Sequence, residues 1–175
     1  PKLSAGFSQC GQIRTQPPNM SEFKKHLLLI CHSRSGTNQR LAETIADGAT
    51  SDPEAIDFRM KSAFEADADD LLWADATIFV SPEHFGYMAG ALKDFFERTF
   101  YPTENQVAGR SMCIVIGTGL DGQGALSSIR RICTGYRFKE VQPETIIVGE
   151  PSAADLQHCH DLGASMAAGL EAGLY

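Results

Sequence analysis

The chain has 175 residues, of which 43% are hydrophobic, and a formal net charge of −7 at neutral pH. This length and apolar content suit one globular domain, while the acidic balance excludes broad nucleic-acid binding, which needs a basic face. No apolar stretch approaches the roughly 18 residues of a membrane-spanning helix, so membrane insertion is not predicted.

Residues 1–22 are polar and lack hydrophobic periodicity, which predicts a flexible N-terminal tail before a domain at 23–175. The sequence leaves open whether Met20 is the native start, with residues 1–19 an extension. There is no secretory pattern, and the five cysteines include no C-x-x-C pair. We therefore predict a cytoplasmic, reduced protein in which Cys31 and Cys113, within apolar runs, are buried thiols.

Strand and helix signals alternate after the tail. Strands are predicted at 26–32, 54–58 (weak), 76–80, 111–116 and within 141–148; helices are predicted at 38–49, 64–73, 88–100, 123–135 and 153–172. Five strands separated by helices predict an α/β fold with a parallel sheet and right-handed crossovers, in the order 2-1-3-4-5. Ligands of such sheets bind beyond the carboxyl ends of the strands, where the strand order reverses. The loops after strands one, three and four should therefore form the site.

The first of these loops, 33–38, joins a buried strand to the start of an amphipathic helix, an arrangement that binds anions through free N–H groups. Possible further donors are the hydroxyls and amide of its polar residues, with Gly36 shaping the turn: Ser33, Ser35, Thr37 and Asn38. The loop has neither an ATP-type P-loop nor a dinucleotide motif. It resembles the flavin-phosphate loop of flavodoxin-like proteins. The alternative is that Ser and Asn only cap a helix.

The second loop and the helix after it, residues 81–98, resemble the P-x-x-F-G segment and G-x-L-K-x-F-x-[DE]-R helix of flavodoxin-like NAD(P)H:quinone oxidoreductases and FMN reductases. The matching residues are Pro82, Phe85, Gly86, Leu92, Lys93, Phe95 and Arg98. The resemblance implies a flavodoxin-like three-layer sandwich that binds FMN, with the ring held by Pro82, Glu83, His84, Phe85, Gly86 and Tyr87. Aromatic side chains can cover a flat, apolar ring, and Pro and Gly can aim backbone N–H groups at its rim.

Two alternatives remain open in this segment. It could be a helix-capping turn with Phe85 buried in the core, and His84 and Tyr87 could be surface residues of a lid. The aromatic residues further along the helix are expected in the core: Phe95, Phe96 and Phe100.

The third loop has four glycines in eight residues, 117–124, which lets backbone approach a ligand closely. In the family it lies against the flavin, so Thr118, Gly119 and Gly122 are expected near the ring edge or ribityl chain. The aromatic pair that encloses the ring in electron-carrier flavodoxins is not evident, because Trp73 and Tyr101 lie elsewhere in the chain. An open flavin face favours a reductase.

The resemblance implies an FMN-dependent NAD(P)H oxidoreductase that passes electrons to a quinone or similar small acceptor. The cofactor performs this chemistry, and His84 is a candidate proton donor because its charge changes near neutral pH. Family members often form homo-oligomers, so one is plausible here.

Two other functions stay open. An electron-transfer flavodoxin would use its acidic surface to attract a basic protein partner, and a binding module could have lost its flavin. A metal site is not predicted at 158–161, because neighbouring helix positions point in different directions. We expect that segment to be an exposed helix start.

Overall fold

The computed structural model describes residues 24–175, so the tail predicted at 1–22 lies outside the described residues. The strands are β1 (Lys25–Cys31), β2 (Ile56–Ser62), β3 (Ala76–Ser81), β4 (Glu83–His84), β5 (Tyr87–Met88), β6 (Ser111–Thr118), β7 (Lys139–Glu140) and β8 (Thr145–Val148). The helices are α1 (Thr37–Ala49), α2 (Ala68–Trp73), α3 (Gly90–Thr103), α4 (Gln123–Tyr136) and α5 (Ala153–Glu171). Within the described range, no helix is both long and apolar enough to cross a membrane.

The main sheet is parallel throughout and runs β2-β1-β3-β6, with β7 and then β8 pairing along the outer side of β6. This confirms the predicted order, with β7 and β8 together forming the fifth strand. The interruption between them contains Pro143, which has no N–H to donate to a ladder. The strand order reverses between β1 and β3, so the crevice beyond their carboxyl ends is where a ligand is expected.

Two hydrophobic clusters cover the two faces of the sheet. Residues of α2, α3 and α4 pack on one face, and residues of α1 and α5 pack on the other. The central strands β3 and β6 are buried along their whole length, as continuous apolar runs require. Phe95 and Phe96 lie in the first cluster and Phe100 packs against it half-buried, so the predicted core positions are confirmed.

Three elements have boundaries that differ from the prediction by three residues or more. The helix predicted at 88–100 is α3, which starts at Gly90, because Tyr87 and Met88 form β5, and which continues to Thr103. The weak strand at 54–58 is β2, which begins and ends with β1 because Lys25 pairs with Ile56 and Cys31 with Ser62. Its second half alternates charged residues along the edge of the sheet, which hid the strand signal. The helix predicted at 64–73 starts at Ala68, because Asp67 and Asp70 form a capping box that fixes its first turn.

The segment at 158–161 is also different from the expectation, because it lies inside α5 and is not an exposed helix start. Cys159 is completely buried, and the His158 ring lies 2.9 Å from the Thr145 hydroxyl. No group of three or more potential metal ligands occurs in the part of the chain that is described.

Buried thiols occur as predicted at Cys31 and Cys113. Burial, followed by the charge of Glu43, raises the pKa of Cys31 to about 12, so this thiol is held in its unreactive protonated form.

Helices α1 and α5 cross at two glycines, which lets their backbones approach closely. A Cβ added at Gly48 would overlap the carbonyl oxygen of His160, and one at Gly163 would overlap that of Ile45. The packing of α1 against this face, and therefore the position of its N-terminus, depends on both glycines.

Candidate functional site

A cleft opens beyond the carboxyl ends of the central strands, at the point where the strand order reverses. Its volume is about 360 Å³, within the range of roughly 300–1,000 Å³ typical of ligand sites. Its lining comes from all three loops and from the turn after β8: Ser35, Thr37, Asn38, Pro82, Glu83, His84, Gly117, Thr118, Gly119, Gly149 and Glu150. The three loops singled out in the sequence are therefore brought together at one place.

The N-terminus of α1 is open toward this cleft. Its N-cap, Gly36, has a left-handed backbone (φ 97°), and the first turn carries neither a side-chain cap nor an acidic residue. In the described part of the chain, the backbone N–H groups of Thr37–Gln39 donate no hydrogen bond. Ser33 Oγ accepts a bond from the Gly36 N–H at 3.2 Å, which closes the loop beneath them. Free N–H groups and the helix dipole together favour an anion here.

The first turns of the neighbouring helices α4 and α5 already have carboxylates beside them, which closes both helices to an anion. The first turn of α4 donates to Glu83 and Asp121, and that of α5 donates to Ser152, whose capping box includes Asp155. A negative ligand would meet repulsion at either terminus. This contrast distinguishes α1 from α4 and α5 as the place for a phosphate.

Asn38 has a different task from the one expected of it. We expected its amide to donate to a ligand, but its Nδ2 donates to the Gly117 carbonyl and its Oδ1 accepts from the Gly117 N–H, both at 3.0 Å. The side chain is buried, and a Cβ at Gly117 would lie 2.7 Å from Oδ1. Asn38 therefore joins the first loop to the end of β6, and its backbone N–H remains available to a ligand.

The second loop is a two-residue β-hairpin. Glu83 pairs with Met88 and His84 with Tyr87, and Phe85 and Gly86 form the turn with positive φ values of 54° and 70°. Turns of this kind favour Asn-Gly, and a bulky residue at positive φ is strained. Phe85 is fully exposed at the tip, so the alternative of a buried core residue is wrong. A strained, exposed aromatic residue is typical of a functional position.

The base of the hairpin is fastened to α4 and β3. Ser128 Oγ accepts from the Met88 N–H at 3.2 Å, and Ser81 Oγ accepts from the Ala89 N–H at 3.3 Å. A Cβ on Gly124 would overlap the Gly86 carbonyl oxygen, so this glycine is needed for the close contact. The result is a rigid base that carries an exposed tip.

The third loop contributes mainly backbone to the cleft. Thr118 Oγ1 accepts from the Leu120 N–H at 2.9 Å and lies 3.4 Å from the Glu83 carboxylate. Gly122 has φ 75° as the N-cap of α4 and packs against Ile146, so it supports the loop from outside the cleft.

Of the predicted site residues, eight line the cleft: Ser35, Thr37, Asn38, Pro82, Glu83, His84, Thr118 and Gly119. Six border or support it without lining it: Ser33, Gly36, Phe85, Gly86, Tyr87 and Gly122. Sequence reasoning missed Gly117, Gly149 and Glu150. The latter two directly follow β8, and the rule that ligands bind at the carboxyl ends of strands could have identified them.

His32 lies beside the cleft residue His84 and was not among the predicted site residues. Its ring packs edge-to-face against Phe64 at 5.6 Å and against His84 at 6.3 Å between centroids. Burial, followed by the charge of His84, lowers the pKa of His32 from its ordinary value. The signal was its place directly after β1, beside the first loop.

The two aromatic residues weighed as possible ring covers lie away from the cleft. Trp73 is stacked on His26 at 4.4 Å between centroids, and the Arg59 guanidinium lies 3.9 Å from its ring centroid. Tyr101 is exposed on α3, beside a groove between α3 and α4. Neither residue lines the cleft, so neither could cover a ring bound there.

Comparison with known proteins agrees with this architecture. Residues 25–152 match the family model described as NADPH-dependent FMN reductase. A flavodoxin of Aquifex aeolicus is 27% identical over an alignment of 157 residues, and the match covers 81% of this chain and 84% of that protein.

Solved structures of an archaeal flavodoxin (TM-score 0.73, 23% identity, 84% of this chain and 99% of that one) and of a flavodoxin, WrbA-like protein from Agrobacterium tumefaciens (TM-score 0.71, 20% identity, 85% and 98%) share the fold. The fold is therefore flavodoxin-like. Since the matching family model spans most of the chain, this protein belongs to the NADPH-dependent FMN reductase family.

Proposed function

We propose that the cleft binds FMN and that the protein is an FMN-dependent oxidoreductase passing electrons from NAD(P)H to a quinone or similar small acceptor. The observation that carries the proposal is the uncapped N-terminus of α1 at the switch point, beside a rigid hairpin with an exposed aromatic tip. Membership of the reductase family and the flavodoxin relative support the same cofactor.

The residues present fit such a cofactor in chemical type. The phosphate would lie at Ser33, Ser35, Gly36, Thr37 and the backbone of Asn38, where free N–H groups await an anion. The ring would lie against the segment from Pro82 to Tyr87, with Thr118 and Gly119 supplying close backbone. Bound FMN supplies hydride and electron transfer.

The residues of the chain then have distinct tasks. The hairpin would orient the ring, and the open side of the cleft would admit nicotinamide and acceptor. His84 lines the cleft and would hold a proton for the reduced acceptor.

In a His84→Ala variant that still binds FMN, quinone turnover should fall because the proton donor is lost. Unchanged turnover would show that His84 is not the proton donor.

The second candidate is a flavodoxin-type carrier that serves a protein partner. Large exposed apolar side chains stand at the carboxyl edge of the sheet around the cleft, namely Phe64, Phe85, Leu120 and Val148. Such a surface also suits a protein partner. A homo-oligomer, implied by the family resemblance, stays a prediction.

Visible absorption spectroscopy tests the proposal. FMN is titrated into the protein first, and NADPH and then a quinone are added without oxygen. A bound-flavin spectrum that bleaches with NADPH and recovers with quinone supports the reductase. Bound flavin that NADPH does not bleach supports the carrier, and absence of binding contradicts the FMN site.

The phosphate position has its own matched pair of variants. Ser35→Asp places a negative charge at the open terminus of α1 and should weaken FMN binding roughly tenfold or more, since a charge there acts on the phosphate directly. Thr44→Asp adds the same charge two turns further along α1 and should bind FMN like the wild type. The affinity for riboflavin, which has no phosphate, should be the same in both variants as in the wild type.

A further inference from the structure

We propose that Glu83 is a positioning residue that fastens the hairpin to the first turn of α4 as one preformed wall of the cleft, and that its charge there lowers the reduction potential of the bound flavin. The second part of this inference rests on the proposed FMN site.

The Glu83 carboxylate accepts hydrogen bonds from several donors at the start of α4. Oε1 accepts from the N–H groups of Gly124 at 2.9 Å and Ala125 at 3.3 Å, and Oε2 accepts from that of Gly122 at 2.9 Å. The side chain is buried although it is acidic. A buried carboxylate needs such partners, so this arrangement is specific to a charged acceptor with two oxygens.

The contact connects two segments that are far apart in the chain. The N-cap of α4 is Gly122, which has no side chain to cap its own helix. The cap is supplied instead by Glu83, 41 residues before Gly124. The N–H groups of Gly122, Gly124 and Ala125 are therefore satisfied only when the hairpin is docked, and docking fixes the separation of the second and third loops.

The hairpin and α4 also pack closely against each other. The Gly86 carbonyl occupies the space where a Cβ of Gly124 would be, and Met88 N–H is held by Ser128 on α4. The hairpin and α4 therefore behave as one unit around a central carboxylate. A preformed wall binds a ligand without first paying for loop ordering.

The charge of Glu83 has a consequence for redox chemistry. Glu83 lines the cleft beside His84, so a negative charge is fixed in the wall of the proposed site. A fixed negative charge near a flavin opposes the gain of electrons and makes the reduced form a stronger donor. Glutamine at this position keeps the size but loses the charge, and its NH₂ group faces backbone donors where an acceptor is needed.

Asp121 provides a matched control at the same helix terminus. Its Oδ1 accepts from the Gln123 N–H at 3.0 Å, but it is exposed, and within residues 24–175 it has no hydrogen bond to the hairpin. Asp121→Asn therefore removes one carboxylate from the α4 terminus and leaves the hydrogen bonds between Glu83 and α4 intact.

Amide hydrogen exchange on the protein without added flavin tests the positioning role. In Glu83→Gln, exchange should rise together in the hairpin, 82–88, and in the first turn of α4. In Asp121→Asn, any rise should be confined to α4. Equal exchange of the hairpin in the two variants would overturn the positioning role, whether or not the protein binds FMN.

Flavin titration and potentiometry test the effect on the cofactor. Glu83→Gln should weaken FMN binding roughly tenfold, since the loss of one charged hydrogen bond is worth at least about that factor and leaves the hairpin to be ordered when FMN binds, and should raise the reduction potential. Asp121→Asn should match the wild type in both. A Glu83→Gln protein with wild-type potential would overturn the role of the charge, whereas a wild type that binds no FMN would instead overturn the proposed function.

Discussion

Asn38 shows how much one side chain contributes at the level of a residue. Its amide satisfies both backbone polar groups of the buried Gly117, so Asn38→Ala leaves a buried N–H and a buried carbonyl without partners. An unsatisfied buried group costs about 1–3 kcal/mol, and we expect the variant to lose about 2–4 kcal/mol of unfolding free energy. Urea unfolding of the protein without added flavin measures this loss.

Gln39→Ala is the matched control for that prediction. Gln39 is the next residue on α1, and its side chain is exposed and donates to Glu43 one turn further along the helix. Its replacement should change stability by no more than about 0.5 kcal/mol. Equal losses in the two variants would mean that the Asn38–Gly117 contact does not stabilise the fold.

At the level of elements, the crossing of α1 and α5 is sensitive to a single methyl group. Alanine is a better helix former than glycine by about 1 kcal/mol, so propensity alone predicts that Gly163→Ala is stabilising. The added Cβ would overlap the Ile45 carbonyl, however, and must separate the helices. We expect a net loss of about 1–3 kcal/mol, as is typical of overpacked sites, in thermal or urea unfolding.

Gly135→Ala in α4 separates propensity from packing. The nearest atom to a Cβ there is Phe100 Cε2 at 3.7 Å, an ordinary contact. This variant should be neutral or up to about 1 kcal/mol more stable. If Gly163→Ala were as stable as Gly135→Ala, the close crossing of α1 and α5 would be contradicted.

At the level of the whole molecule, stability should depend on the protonation of His32. Burial, and then the charge of His84, lower the pKa of His32, so the unfolded chain binds the proton more readily than the folded one. The contribution of His32 to the free energy of unfolding is therefore fully present above the ordinary histidine pKa of about 6.5. It is lost as the pH falls through the lower pKa of the folded state. The ring is partly exposed, so screening by solvent should keep this loss small.

Urea unfolding between about pH 8 and about pH 5 measures this dependence. His32→Asn should remove the His32 contribution to the slope. His84→Asn should reduce it only in part, because burial is the larger cause of the lowered pKa. A slope that is unchanged in His32→Asn would show that this residue does not link protonation to folding.

Much of this fold could be predicted from local patterns. Continuous apolar runs identified β1, β3 and β6, and helical periodicity identified α1 and α4, because buried strands and amphipathic helices impose periods that are visible in sequence. The predicted edge strand at 54–58 began two residues before β2 and ended four residues short of it, because the charged residues in the second half of β2 alternate at a solvent-facing edge. Its boundaries follow from pairing with β1, which is not a local property.

The candidate site divides in the same way. Composition of the three loops and their places after strands were sufficient to predict which segments meet, since carboxyl ends of parallel strands share one edge. The partners of Asn38 and Glu83 could not be predicted, because they lie 79 and 39–42 residues away in the chain.

The sequence by itself determined the strand order, the three loops at the switch point and the family resemblance, because these depend on residue type and local spacing. Only the tertiary structure decided that α1 is open to an anion while α4 is closed by Glu83, and that Phe85 stands exposed on a strained turn. Hydrogen bonds between distant segments determine which polar groups are satisfied internally and which remain free for a ligand. These bonds form only when the chain has folded.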